Sequence, residues 1–225
     1  MQIDTQTGDN KNILQRDFTS QTGDVYVGFT LRTNTFDSGD FLQIYFNDDN
    51  GASETTSVSG GLRNQGSGGD NFYFARVGGF ALANNQNTTF THPDDTNVQV
   101  VLKFSNTAFA GGDYDRTDLW INQATEGTAD AFKADVDSNT AALEKIHIRV
   151  FSFEGDETVY IDNLRIATTY GEALVTVVPE PSTYLVFTGL ALCFGAAGWW
   201  RKRRKAPSRR LAAAHALGVV RPGRL

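Results

Sequence analysis

Short segments in which apolar and polar residues alternate constrain the fold of this chain more than any other feature. In residues 24–31, Val25, Val27, Phe29 and Leu31 all fall on one face, and residues 41–46 repeat the pattern. Period-two alternation is typical of a strand that buries one face. Clusters rich in Asn, Asp, Gly and Ser separate the segments, and such clusters form tight turns.

Further strands are predicted at residues 57–63, 71–77, 88–91, 97–104, 118–122, 145–153 and 158–167. Eight or nine short strands joined by polar turns indicate two packed antiparallel sheets. Residues 129–143 are the one stretch in this part with helical potential, and their Asp, Asn and Thr content disfavours a helix. We therefore predict an all-β sandwich over residues 1–167, followed by a linker at residues 168–178.

An uncharged apolar run at residues 182–200 predicts a different kind of element. At ~1.5 Å per helical residue the run spans about 28 Å, which is enough to cross the hydrocarbon core of a bilayer. Backbone groups in lipid must bond within their own segment, so a spanning segment is helical. A cationic cluster follows at once, consisting of Arg201, Lys202, Arg203, Arg204 and Lys205. Such clusters stay on the cytoplasmic side, so we expect the sandwich to lie outside and residues 206–225 to form a basic cytoplasmic tail.

The triplet Pro179-Glu180-Pro181 precedes this run. Triplet, apolar span and basic cluster together, at residues 179–205, resemble the PEP-CTERM sorting signal of Gram-negative bacteria. The resemblance implies that an exosortase, a membrane-embedded transpeptidase, processes the chain and that the mature protein reaches the cell surface or extracellular matrix. An exported chain should begin with a cationic and then apolar leader, which residues 1–13 do not provide. We therefore expect the natural protein to start further upstream, with the sandwich truncated at its N-terminus.

The charge distribution is uneven along the chain. Nine of the 20 Lys and Arg residues but one of the 26 Asp and Glu residues lie from Pro179 onward, which leaves 11 cations and 25 acids before it, a net charge of −14. An acidic surface of this size repels phosphate backbones, so we do not expect nucleic-acid binding.

The end of the predicted sandwich carries a second resemblance. Residues 160–166 read YIDNLRI and are followed by Ala167, Thr168, Thr169 and Tyr170. This sequence resembles the last strand of concanavalin A-like, laminin-G-like jelly rolls, with Ala167 and Tyr170 in place of that family's Gly and Trp. The resemblance implies a jelly-roll sandwich whose commonest role is carbohydrate binding. The candidate sugar-stacking residues are the aromatic side chains Tyr45, Tyr73, Tyr114 and Trp120, each of which could instead cover a sheet or fill the core.

The sequence contains partial matches to catalytic and metal-binding patterns. Glucanases of this fold class use two glutamates in an E-x-D-x-x-E strand, but the nearest match begins at Glu154 and has Val159 at its sixth position. His92, His147 and His215 share no metal-ligand spacing, and we predict that the chain is not an enzyme. Calcium could bind carboxylate pairs in turns, although none of them fits an EF-hand: Asp48 with Asp49, Asp94 with Asp95, and Asp113 with Asp115.

These observations predict an exported surface or matrix protein with a structural or carbohydrate-binding sandwich. Its expected partners are the exosortase, the membrane and an exopolysaccharide or other glycan. The alternatives are a calcium-dependent adhesin and, with less support, a glycoside hydrolase.

Overall fold

The computed structural model describes residues 2–4, 12–47, 57–64, 71–79, 84–109, 111–153 and 157–174. This part of the chain forms strands and one short helix, in the chain order β1 (Gln2–Asp4), β2 (Asn12–Gln21), β3 (Val25–Thr33), β4 (Phe41–Asn47), β5 (Val58–Asn64), β6 (Asn71–Val77), β7 (Asn85–Thr91), β8 (Val98–Ser105), β9 (Arg116–Ile121), β10 (Ala131–Lys133), β11 (Leu143–Phe151), β12 (Thr158–Ala167) and α1 (Tyr170–Ala173).

The strands form two six-stranded sheets in which every pairing is antiparallel. Sheet A has the order β1-β12-β3-β8-β9-β10, and sheet B has the order β2-β11-β4-β5-β6-β7. The prediction of an all-β sandwich made of two antiparallel sheets is confirmed. Strands β6 and β12 have the predicted bounds.

The core lies between the sheets and is built from the alternate positions that the sequence assigns inward. Val25, Val27, Phe29 and Leu31 of β3 all belong to it, and the inward residues of β4, β8 and β11 pack against them. Burying an apolar side chain of this size contributes ~1.5–3 kcal/mol. Apolar packing in this core stabilises the sandwich, and the single cysteine of the chain cannot form an internal disulfide.

Helix α1 covers part of the outer face of sheet A. Thr169 caps the helix, because its side-chain oxygen accepts a hydrogen bond from the Glu172 amide. Tyr170 and Ala173 are buried against Tyr26 and Trp120. The packed sandwich therefore continues past residue 167 into the stretch that we predicted to be a linker.

Close approach of α1 to the sheet depends on a glycine. A Cβ on Gly28 in β3 would lie 1.8 Å from the carbonyl oxygen of Ala173. Only a residue without a side chain therefore fits at this position of the strand.

Two further local predictions differ from the structure. Strand β2 was not predicted, because its sequence alternates weakly and Leu14 lies exposed on an edge strand. Residues 129–143 form no helix; they contain the short strand β10 and then irregular chain up to β11.

The sorting triplet, the basic cluster, the predicted membrane-spanning run at residues 182–200 and the tail at residues 206–225 all lie outside the described residues. Within the part that is described, no helix has the length and apolar character needed to cross a bilayer.

Candidate functional site

The outer face of sheet B, which points away from the core, concentrates polar, aromatic and cationic side chains. Its central positions are aligned by strand register in three rows across the sheet. The first row holds Phe151, Phe41, Arg63 and Phe72; the second holds Arg149, Gln43, Gly61, Phe74 and Asn87; the third holds His147, Tyr45, Ser59, Arg76 and Asn85.

Gln43 lies at the middle of this face and is fully buried. Neither its amide nitrogen nor its amide oxygen has a hydrogen-bond partner within the described structure, and the same holds for the buried hydroxyl of Ser59. A buried polar group without a partner costs ~1–3 kcal/mol, so proteins rarely retain one without a reason. These atoms point to a bonding partner that is not part of the described chain.

Tyr45 and Phe41 lie two residues on either side of Gln43 in β4, and each stacks on a ring from another strand. The Tyr45 ring stacks on the His147 imidazole, with centroids 4.5 Å apart. On the other side, the Phe41 and Phe74 rings stack at 5.4 Å. Burial raises the pKa of Tyr45 and, together with Lys145, lowers the pKa of His147, so both rings are neutral at physiological pH.

Three guanidinium groups, from Arg63, Arg76 and Arg149, surround the phenylalanine pair; we call them the arginine cluster. Arg76 lies 5.3 Å from the centroid of the Phe41 ring and 4.9 Å from that of Phe74. Arg149 lies 5.9 Å from the Phe41 centroid, and Arg63 lies 5.9 Å from the Phe74 centroid. Each contact of this kind contributes ~0.5–2 kcal/mol.

Asparagines from β7 orient two of the cations. Arg63 donates a hydrogen bond of 3.0 Å from Nη2 to Oδ1 of Asn87, and Arg76 donates one from Nε to Oδ1 of Asn85. Burial, together with the charges of Arg63 and Arg149, lowers the pKa of Arg76 to about 10. The cluster therefore has a positive potential that disfavours a further cation and favours an anion.

The floor and the rim of this face differ in exposure. Tyr45, Ser59 and Arg76 are buried, whereas Arg63 and Arg149 are half-buried. On the first row, Phe41 is half-buried, and Phe151 beside it on β11 is 40% exposed. A ligand would therefore meet apolar rings and guanidinium groups before it reached the buried amide.

The outer face of sheet A holds a cleft of a different character, beside Trp120 and α1. Its cations have their own carboxylate partners: Lys103 Nζ is 2.9 Å from Asp24 and 3.6 Å from Glu126, and Arg116 is 2.7 Å from Asp118. These charges are already compensated within the protein, so the cleft is a weaker candidate for a ligand site.

The four predicted sugar-stacking residues lie in three different places. Tyr73 and Tyr114 are fully buried in the core, where Tyr73 bonds the His92 imidazole at 2.6 Å and Tyr114 donates to the carbonyl of Gly23. Neither of them offers a face to a sugar. Trp120 is buried beside Tyr170 on sheet A, and its indole nitrogen donates to the Gly127 carbonyl at 2.9 Å. Tyr45 is the one of the four that lies on the outer face of sheet B.

The predicted metal ligands that the structure describes do not converge. Asp115 is buried, and its carboxylate accepts hydrogen bonds from the Thr107 amide, the Thr107 hydroxyl and the Phe109 amide, so it organises a loop. Asp94 and Asp95 are exposed in a separate loop, and Asp113 is half-buried. Asp48 and Asp49 lie outside the described residues. No group of three or more His, Cys, Asp or Glu side chains is placed to hold a metal in the parts of the chain that the structure describes.

The structure describes only part of the glucanase-like segment at residues 154–159. Glu154 and Asp156 lie outside the described residues, and Val159 fills its sixth position with a core side chain. The adjacent Glu157 is buried and lies near Asp40. Burial of Asp40 raises the pKa of its carboxyl group to about 7, and the charge of Glu157 contributes to this shift.

Sequence reasoning missed most of the central face. Alternation assigned Gln43 and Tyr45 outward, which is correct, but outward residues of separate strands carry no sign of which strands are neighbours. The pairing of β4 with both β5 and β11 brings Arg63 and Arg149 beside the phenylalanine pair. Only this pairing makes a site from residues that are more than 80 positions apart in the chain.

Comparisons with known proteins identify the fold. No family model matches the chain, and no curated protein matches it in sequence. The carbohydrate recognition domain of Emp47p is similar in structure, with a TM-score of 0.50 and 8% identity over 71% of this chain and 79% of that one. The alginate lyase Aly36B, in complex with alginate trisaccharide, gives a TM-score of 0.47 at 16% identity, covering 70% and 75%. A tetrameric galectin from the ball sponge Cinachyrella sp. gives 0.43 at 14%, covering 71% and 100%.

The similarity to the carbohydrate recognition domain of Emp47p shows a shared β-sandwich fold. The fold implied by the last-strand resemblance is confirmed at that level. Identities this low show a shared architecture, and the function has to be argued from the residues of this chain.

Proposed function

We propose that the sandwich binds carbohydrate on the outer face of sheet B. Sugars present a C–H face, which packs on aromatic rings, and hydroxyl groups, which need hydrogen-bonding partners. This face offers both kinds of partner: the rings of Phe41 and Phe151 at its rim, and the amide of Gln43 at its floor. Similar lectin and alginate lyase structures are consistent with such a role.

The observation that carries the proposal is the unbonded, buried amide of Gln43. An amide offers two donors and an acceptor, which is the set that vicinal sugar hydroxyls satisfy. Rim side chains must rotate to admit the ligand, and changes of side-chain conformation are common when proteins bind. The energy lost to the unbonded amide is recovered when a hydroxyl bonds it.

The test is glycan-array binding by the full-length chain, followed by titration calorimetry on any ligand found. Gln43→Met removes both polar atoms at nearly constant length, and we expect it to weaken binding by about tenfold or more. Glu126→Gln is the matched control, because Glu126 lines the cleft on sheet A and its replacement should leave affinity unchanged. Unaltered binding by Gln43→Met, or loss of binding by Glu126→Gln alone, would move the site away from sheet B.

We propose a binding module and not an enzyme. Incubation of the chain with a polysaccharide that it binds should yield no shortened products on chromatography. If products form and Tyr45→Phe abolishes them, the same face is catalytic and this part of the proposal is wrong.

We further propose that the chain is exported and that its exosortase-processed form acts at the cell surface or in the extracellular matrix. The support is the order of the triplet Pro179-Glu180-Pro181, the uncharged run and the basic cluster in the sequence. Cell fractionation tests this directly. Full-length chain dissolved in the cytosol would contradict it, whereas a shortened form at the surface would support it.

A calcium-dependent adhesin and a structural role stay as alternatives. Calorimetry with added calcium distinguishes the first, since a heat of binding and a raised Tm are expected only if calcium binds. A structural protein would show no hit on the array with either the natural sequence or its variants.

A further inference from the structure

We infer that the carbohydrate bound on sheet B is acidic, and that the arginine cluster of Arg63, Arg76 and Arg149 holds its anionic groups. This inference rests on the proposed function and adds the class of sugar that the site selects. Its starting point is the location of three guanidinium groups around one pair of rings in a domain that is otherwise strongly acidic.

The arginine cluster places like charges close together. The three groups repel one another, and their partial burial removes water that would otherwise stabilise their charge. Burial lowers the pKa of Arg63 and Arg149 as well as that of Arg76, which is the most deeply buried. An arrangement that is unfavourable for cations is favourable for an anion placed between them.

Residue type and orientation fit the same ligand. Guanidinium groups bind carboxylate and sulfate through two parallel hydrogen bonds, which lysine does not provide. Asn85 and Asn87 each accept one hydrogen bond from Arg76 and Arg63, which fixes the direction of the planar groups. Ring stacking by Phe41 and Phe74 holds them from the side. The cations are therefore preorganised, which reduces the entropy lost on binding.

The neighbouring groups are those of a sugar site. The rim rings and the Gln43 amide match the C–H face and hydroxyl groups of a sugar. Together these groups describe a glycan whose residues carry a carboxylate or a sulfate.

The experiment uses paired ligands on the full-length chain. Pectate, alginate and hyaluronate are each compared with their methyl-esterified forms, which keep the hydroxyl groups and lose the charge, and a carrageenan serves as the sulfated arm. We expect at least one charged ligand to bind at least tenfold more tightly than its ester, with an affinity that falls as salt rises. Stronger binding of carrageenan than of every uronate would assign the anion as sulfate.

Variants then locate the effect. Arg63→Gln and Arg149→Gln, both at the half-buried rim, should each weaken binding of the charged form by about 10- to 100-fold. Neither should change the weak binding of the ester. Arg32→Gln is the matched control, because Arg32 is also half-buried over an aromatic ring, that of Tyr160 on sheet A, at 4.5 Å.

The outcomes separate this inference from the function on which it rests. Equal affinity for charged and esterified glycans would overturn the acidic preference and leave carbohydrate binding intact. Weakening by Arg32→Gln as large as by Arg149→Gln would show a general charge effect and would also overturn it. Absence of binding to any glycan, charged or neutral, would overturn both.

Discussion

Replacing Gln43 by methionine should stabilise the protein while it weakens binding by about tenfold or more. Both polar atoms of the side chain are buried, and neither has a partner in the described structure. Methionine is unbranched, has nearly the same length and brings no group that needs a hydrogen bond. The substitution therefore removes the cost of an unbonded polar group and keeps the packing around it.

The size of the effect follows from the cost of burial. An unbonded buried polar group costs ~1–3 kcal/mol, and we expect the free energy of unfolding to rise by about that amount. For a chain of 225 residues, 1 kcal/mol corresponds to a change in Tm of ~2–4 °C, so Tm should rise by roughly 2–12 °C. Urea unfolding and thermal melting of the full-length chain measure both quantities.

A control makes the measurement specific. Gln15 lies on the same face in register with His147, but it is exposed. Gln15→Met should change stability by no more than ~0.5 kcal/mol, as is usual for surface positions. If Gln43→Met lowers stability by 1 kcal/mol or more, its amide has internal partners, and the argument for a ligand at this position fails.

Three further predictions concern the scaffold. Gly28→Ala places a Cβ 1.8 Å from the Ala173 carbonyl oxygen, so it should displace α1 and cost ~1–3 kcal/mol in urea unfolding, and an unchanged midpoint would show that α1 does not pack there. Burial lowers the pKa of His92 from 6.5 to about 4, so the unfolded chain binds more protons between these values. The contribution of His92 to stability should be complete above pH 6.5 and fall by about 3 kcal/mol as the pH drops to 4. The difference in unfolding free energy between the natural chain and His92→Gln measures this contribution, and a difference that does not change with pH would contradict the assignment. Asp40 has the opposite sign, because burial raises its pKa from 3.8 to about 7: its contribution is complete below pH 3.8 and is lost as the pH rises through 7. Asp40→Asn should therefore gain stability relative to the natural chain as the pH rises from about 4 to 7, and a difference between the two that does not change with pH would contradict this assignment.

Much of the fold could be predicted from alternation, and the reasons for the exceptions are physical. Strands β3 and β4 alternate clearly, and their predicted inward residues all lie in the core, so the sequence signal and the buried face agree. Strand β2 escaped prediction because an edge strand packs less of its surface and carries a weaker pattern. The packing of α1 was missed because four helical residues have no periodicity to detect.

The site was predicted less completely than the fold. An aromatic residue in a strand can lie on the outer face of a sheet or fill the core, and the sequence alone does not distinguish these two environments. Tyr73 and Tyr114 fill the core, with their hydroxyl groups bonded to His92 and to backbone carbonyls. Tyr45, by contrast, lies on the outer face of sheet B beside an amide that no pattern had singled out.

Most strands, their buried faces, the acidic charge of the domain and the order of segments in its C-terminal region can be read from the amino-acid sequence. Those properties depend on neighbours within a few positions of one another, where alternation and composition act directly. Tertiary structure alone decided that Arg63, Arg76 and Arg149 surround one phenylalanine pair above a buried amide. Strand order and register join residues that are far apart in the chain, and they follow from the packing of both sheets together.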